Sequence, residues 1–233
     1  MPAGLLSTGN PEVLGASSIS PSWGSARTPG DLLFFTVWST SAITVPAEYT
    51  SIFDGALGSI YVAVSYRVAD DTADDEPAFA LSPAANACGT RSWWTDTTGI
   101  DITDYATAAA EEDCDAPSVT PTYTDDVLFQ IFMGYAPGAQ APVGPNLMFD
   151  FPPGGYSLVN QNVSHQAGST HIDGTCSGYY LELPSAASTG VVTAPAVEAF
   201  GDTGLHERLG VSILLKSLAP ISAGGWTVGS IRY

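Results

Sequence analysis

Residues 59–68, SIYVAVSYRV, constrain the fold of this chain more tightly than any other segment. Ile60, Val62, Val64, Tyr66 and Val68 alternate with Tyr61, Ala63, Ser65 and Arg67. That two-residue period belongs to a strand with one face in a core, and a helix cannot use it. Slipping the strand by one position would turn its apolar set toward water, so the pattern also sets register. Residues 208–216 repeat it, with Leu209, Val211, Ile213 and Leu215 set against Gly210, Ser212, Leu214 and Lys216.

Two further segments, LLFFTVW at 32–38 and VLFQIFM at 127–133, are apolar on both sides. They read as central strands covered on both faces, or covered on one face and turned toward another subunit on the other. Acid and turn residues precede each: Thr28-Pro29-Gly30-Asp31 and Thr124-Asp125-Asp126. Shorter strands are expected at 43–45, 77–81, 147–151, 156–163, 179–183 and 191–200, with turn material such as Pro152-Pro153-Gly154-Gly155 between them. Residues 105–113, YATAAAEED, have helical propensity, but their acids fall at the end of a helix where the dipole disfavours them. A long acidic loop is expected there ahead of a two-turn helix.

Twenty-four glycines and 17 prolines in 233 residues suit many strands joined by turns and do not suit a helical bundle. The expected fold is all-β, an antiparallel β-sandwich of jelly-roll or Ig-like type. It occupies residues 1–217 as one domain, with an N-terminal arm over roughly 1–11 and a short C-terminal arm at 218–233. The chain also echoes itself. The acid-capped strand after Asp31 leads to Val45-Pro46-Ala47-Glu48-Tyr49-Thr50 and then to SIYVAVSYRV; the one after Asp126 leads to Pro152-Pro153-Gly154-Gly155-Tyr156-Ser157 and then to GYYLEL at 178–183. Two halves contributing matched strands to one sandwich are expected, not two separate domains.

Charge restricts the partners. Twenty-four acids face Lys216 and the arginines at 27, 67, 91, 208 and 232, for a net charge of −18. Nonspecific nucleic-acid binding needs basic groups to neutralise phosphates, and an anionic membrane would repel this surface. No apolar run is long enough to span a bilayer as a helix. The first thirty residues lack the basic head and apolar stretch of a signal peptide. Three cysteines, Cys88, Cys114 and Cys176, are expected reduced and buried, with a Cys88–Cys114 bridge as the alternative. Asn162-Val163-Ser164 matches a glycosylation acceptor that has no secretion signal to go with it.

Catalytic signatures are absent: no G-x-S-x-G elbow, phosphate loop or H-E-x-x-H. His165, His171, Asp173 and Cys176 offer zinc-type ligands within twelve residues, but their spacing fits an ordinary polar loop better than a metal site. His206 has no partner signal. The acid runs at 70–76 and 111–115 read as solvated loops ahead of calcium sites, since they lack an EF-hand's glycine and terminal glutamate spacing. No catalytic residue, metal ligand or cofactor is assigned. The aromatics are the remaining candidates. Trp93 and Trp94 must point to opposite faces of a strand, and with Tyr179 and Tyr180 they read as core or subunit contacts, or as a glycan-stacking platform. Trp23 and Trp226 lie in Gly/Ser-rich terminal regions suited to anchoring an arm, and Arg232 and Tyr233 could pair with an acidic neighbour.

The order GDLLFF (30–35), VPAEYT (45–50), SIYVAVSYRVADD (59–71), PAFAL (77–81) resembles β-sandwich proteins of tailed-phage virions. APSVTPTYTDDVLFQIFMG (116–134), PPGGYSLV (152–159), GYYLELPSAASTG (178–190) and RLGVSILLK (208–216) continue the resemblance, which spans roughly residues 12–217. The chain departs from the usual pattern at Glu48, where glycine is common, and at Tyr49, where tryptophan is common; 136–145 and 160–177 are individual. The resemblance implies a nonenzymatic virion component, assembled in a host cytoplasm and released by lysis. Its usual place is the tail or tail tip, sometimes a decoration on the capsid surface. The implied partners are further copies of itself and other virion proteins, with no nucleic acid or membrane. A carbohydrate-binding module that touches a host surface glycan is the alternative class; a hydrolase would need two convergent carboxylates or a bound metal.

Overall fold

The computed structural model describes residues 3–23, 27–70, 76–109, 113–137, 155–164, 172–195 and 207–218. Among these the strands are β1 (Gly4–Gly9), β2 (Glu12–Ile19), β3 (Leu32–Ser39), β4 (Ala42–Thr44), β5 (Thr50–Leu57), β6 (Ile60–Val68) and β7 (Phe79–Thr95) in the first half. The second half holds β8 (Thr97–Ala109), β9 (Asp113–Ala116), β10 (Val127–Pro137), β11 (Ser157–Ser164), β12 (Ile172–Glu182), β13 (Val192–Pro195) and β14 (Glu207–Ser217). All pairings are antiparallel. One sheet runs β1-β7-β3-β6-β5, with β2 and β4 also on β7; a second runs β11-β12-β10-β14-β8; β13 and β9 form a small third. The two large sheets pack face to face as a β-sandwich.

Each large sheet comes from one contiguous half of the chain, with Asp96 alone between β7 and β8. The sequence echo becomes a match in register. Leu33 stands between Arg67 and Trp93, as Leu128 stands between Leu181 and Leu214. Phe34 lies between Tyr66 and Ser92, and Phe129 between Tyr180 and Ile213. Val37 faces Gly89 as Phe132 faces Gly210. The entries to the central strands agree bond for bond: Gly30 N–H donates to Ala69 O (2.8 Å) and Ala69 N–H to Asp31 O (2.7 Å), matched by Asp125 N–H to Leu183 O (3.0 Å) and Leu183 N–H to Asp126 O (2.9 Å). Thus β3, β5, β6 and the second part of β7 correspond to β10, β11, β12 and β14. The β1–β2 edge corresponds to β8–β9, and the first part of β7 to β13.

The alternating side chains explain the packing. Leu32, Phe34 and Trp38 of β3, Val62 and Val64 of β6, Phe129, Ile131 and Met133 of β10, and Val211 and Ile213 of β14 meet between the sheets. Phe34 and Phe129, equivalent positions of the two halves, touch edge to face with ring centroids 5.3 Å apart. Each fully buried large apolar side chain of this kind stabilises the fold by about 1.5–3 kcal/mol.

The outward faces of β3 and β10 are also covered, and by the chain itself. Phe35 and Val37 lie under Ile19, Ile43, Tyr49, Phe79 and Leu81, and Leu33 under Trp23 and Trp93. Phe132 and Tyr179 lie under Cys114, Ala116, Val192 and Ala194, and Leu128 packs with Val119 and Leu214. The doubly apolar strands therefore need no second subunit to cover them, which corrects that branch of the expectation.

Other expectations change as well. Residues 105–109 are neither helix nor loop; they end β8, where pairing with β14 and the Phe53–Tyr105 ring contact (5.2 Å) override helical propensity. Residues 4–9, expected as an arm, form β1 on β7. The strand expected at 77–81 is the start of a 17-residue strand that reaches Thr95. The strand at 147–151 and the C-terminal arm beyond Leu218 lie outside the described residues. All three cysteines are unbridged and buried.

Candidate functional site

Strand β7 changes partners along its length, and that change makes a groove. Residues 80–82 pair with β4, while pairing to β3 begins at Ala87. Between them Ser82-Pro83-Ala84-Ala85-Asn86 bridges the two, with a cis Ser82–Pro83 peptide and register shifts in β2 opposite. Gly15, at φ 57 in the left-handed region that suits glycine, lets β2 bulge here. Thr40, Ser41 and Ala42 of the β3–β4 turn and Tyr61 of β6 also line the groove. The resulting open groove has a volume of about 500 Å³.

Local hydrogen bonds hold its walls. Asn86 Oδ1 accepts from Gly15 N–H at 2.7 Å and its main-chain oxygen accepts from Ser39 Oγ at 2.8 Å. Ser41 Oγ donates to Pro83 O at 2.6 Å, and Ser41 N–H donates to Ser39 Oγ at 3.2 Å. The lining holds hydroxyls, an amide, main-chain groups and one phenol, and no Asp, Glu, Lys or Arg. Such a groove has nothing with which to activate a nucleophile or hold a metal ion, but it can hydrogen-bond a neutral ligand.

The aromatic candidates turn inward. Trp94 is fully buried, with its indole N–H on Ser92 Oγ (3.0 Å) and its ring on Phe129 (5.2 Å) and Tyr180 (5.6 Å). Trp93 lies on the other face and donates its indole N–H to Asp31 Oδ2 at 2.7 Å. Tyr179 packs on Phe132, Tyr180 is partly buried against the inner core, and Trp23 is buried under the Arg91 guanidinium, 5.5 Å from its ring. None of Trp23, Trp93, Trp94 or Tyr179 offers an open face for stacking, so the platform reading of these residues is corrected. Trp226, Arg232 and Tyr233 lie outside the described residues, as do His165, His171 and His206; of the 164–176 set, Cys176 sits in the inter-sheet core.

Arginines 27, 67 and 91 gather at one end of the first sheet. The Arg67 guanidinium lies 3.4 Å from Asp70 and 6.0 Å from the Tyr49 ring centroid, while Arg91 donates to the Ser22 carbonyl. Burial pushes the Tyr49 phenol up to about 12, so it stays protonated. Glu76, from the first acid run, accepts from Trp23 N–H at 2.6 Å; residues 71–75 of that run lie outside the described residues. Asp115, from the second run, accepts from Thr193 Oγ1 at 2.5 Å. Among the described residues no three His, Cys, Asp or Glu side chains converge as a metal site would require.

The two halves treat their matched aspartates differently. Asp31 is satisfied by Trp93 and by Thr28 N–H (3.2 Å). Leu214 occupies the Trp93 position in the second half and has no donor. Asp126 Oδ1 accepts from Ser217 N–H at 3.4 Å, and its buried Oδ2 lacks a hydrogen-bond partner. Burial raises the Asp126 pKa, and Asp101 adds to the rise; Ser217 N–H, the Lys216 ammonium and the Tyr123 main chain oppose it.

The fold defines a class, an antiparallel β-sandwich made of two copies of one strand unit. Comparisons with protein-family models, curated proteins and solved structures found no match.

Sequence reasoning missed the groove. Tyr61 was legible as the outward aromatic of 59–68, but its companions come from residues 15, 40–42 and 82–86, which only the bend in β7 brings together.

Proposed function

We propose that this chain is a nonenzymatic structural component of a tailed-phage virion, placed in the tail or tail tip and assembling through protein–protein contacts. One observation carries the reading. Strands β1 and β2 run on as a single edge along the whole of β7, and bulges between Leu5 and Ser7 and between Val13 and Ala16 throw Leu6 and Leu14 off the sheet. These leucines are 58% and 70% exposed. Free sheet edges are blunted by charge, by proline or by bulges; here Pro11 and the bulges interrupt the ladder while charge is nearly absent. This edge, GLLSTGNPEVLGASSI, carries one acid in a chain of net −18. Uncharged edge backbone with projecting leucines suits docking on a neighbouring subunit, and the resemblance of strand motifs supplies the setting.

The test is incorporation. Quantitative mass spectrometry of purified particles should find the chain at a fixed copy number per particle, and Leu6→Glu with Leu14→Glu should leave the circular dichroism of the free protein unchanged while abolishing that incorporation. Particles that lack the wild-type chain, or that take up the double variant at the wild-type level, would overturn the proposal.

A further inference from the structure

The groove beside Tyr61 is lined without a charged side chain. Twenty-four acids are distributed through 233 residues, yet none lines this depression, and neither does any lysine or arginine. A cation would find no carboxylate to hold it there. An anion would meet the field of a molecule of net charge −18 with no local positive group to offset it. The charge pattern thus selects a neutral ligand.

The polar groups narrow the class further. Thr40 and Ser82 supply exposed hydroxyls, while Ser41 and Asn86 are committed to the bonds that hold the walls. A hydroxyl both donates and accepts, so these groups match a ligand that does the same. Tyr61, 40% exposed, lines the groove with an aromatic ring, whose face can cover apolar C–H surface. Hydroxyl partners with one aromatic face and no charge describe the two surfaces of a sugar ring. A volume of about 500 Å³ is within the usual range for small-molecule sites.

We propose that this groove binds a neutral saccharide, with Tyr61 stacking on the ring and the exposed hydroxyls of Thr40 and Ser82 bonding its hydroxyls. The proposal stands apart from the virion reading: the groove meets the β1–β2 edge only at Gly15, so the two surfaces are separable by substitution.

The experiment uses the full chain on an array of neutral glycans ending in glucose, galactose, mannose or N-acetylglucosamine, with sialylated and uronate-bearing glycans alongside. Hits are followed by calorimetry. Binding to at least one neutral glycan is expected, weaker by tenfold or more for its acidic counterpart. Tyr61→Ala should weaken it at least tenfold, and Ala84→Arg should abolish it by filling the groove. Leu14→Glu should leave it intact, and Tyr61→Ala should leave particle incorporation intact. No neutral glycan bound at millimolar concentration, or binding that survives both Tyr61→Ala and Ala84→Arg, would overturn it. Tyr61→Ala that binds no glycan but also fails to enter particles would overturn it too, by showing the groove to be a protein interface.

Discussion

Gly210 is where one added methyl group tests the architecture. It lies on β14 opposite Phe132, directly beneath β9. A Cβ there would fall inside van der Waals contact with the Asp115 carbonyl and 2.8 Å from Ala116 N. Those are backbone atoms, so β9 itself must retreat. Strand β9 is four residues long; its ladder is with β13, and it otherwise rests by packing on Phe132 and Tyr179. A radial gap of about 0.5–1 Å over Phe132 and Tyr179 forfeits a quarter to a half of their contact energy with Cys114, Ala116, Val192 and Ala194. Overpacking of this kind costs about 1–3 kcal/mol. Complete loss of the roof would add the exposure of two large side chains at about 1.5–3 kcal/mol each. We expect Gly210→Ala to destabilise by about 3 kcal/mol in denaturant titration. The sign is diagnostic, because glycine to alanine in an unhindered strand position stabilises by about 0.5–1 kcal/mol. Gly55, whose Cβ would meet only the Phe53 ring at 3.5 Å, is the control. A second readout is chemical. Burial holds the Cys114 thiol at about 12, and it should label far faster in Gly210→Ala, while Cys88 and Cys176 between the sheets stay slow. A variant as stable as the parent, with Cys114 still slow, would refute the roofed-sheet account.

Three other outcomes follow from the same contacts. Trp93→Phe removes the indole donor from buried Asp31 and should cost about 1.5–3 kcal/mol, most of it disappearing in an Asp31→Ala background, which removes the acceptor, when the double-mutant cycle is closed by urea titration. Asp126 has a raised folded pKa, so the folded state takes up its proton before the unfolded state does as pH falls; its contribution to stability therefore improves on descending through the folded pKa and levels off below the unfolded one. Asp126→Asn should accordingly be more stable relative to the parent at pH 7 than near the unfolded carboxylate pKa, with a pH-independent difference counting against the reading. Phe129→Ala opens the centre of the sandwich between Phe34 and Trp94 and should cost about 3–5 kcal/mol in thermal or chemical unfolding.

The strands were legible wherever alternation or a doubly apolar run was strong: 59–68, 208–216, 32–38 and 127–133 all became strands because burial on a defined face leaves periodicity in the sequence. The duplication showed through Asp31 and Asp126 because both cap a central strand, and it was faint because the two halves conserve register positions more than residue types, as Trp93 and Leu214 show. Residues 105–109 misled because helical propensity is local and pairing with β14 is not. The second covering of β3 and β10 was hidden for the same reason, since Ile19, Phe79, Cys114 and Val192 are distant in sequence from what they cover. The groove depends on where β7 leaves one partner for another, which no spacing of residues records.

Asp96, at φ 56, is the entire covalent bridge between the sheets. No strand crosses it, so each half finds the complement to its inner face only in its twin, and the twin need not belong to the same molecule. Were that single turn to straighten, the first half of one chain would close on the second half of another, with the same Phe34–Phe129 contact now joining two molecules. A dimer by reciprocal exchange, or an open chain of such exchanges, would need no new surface at all.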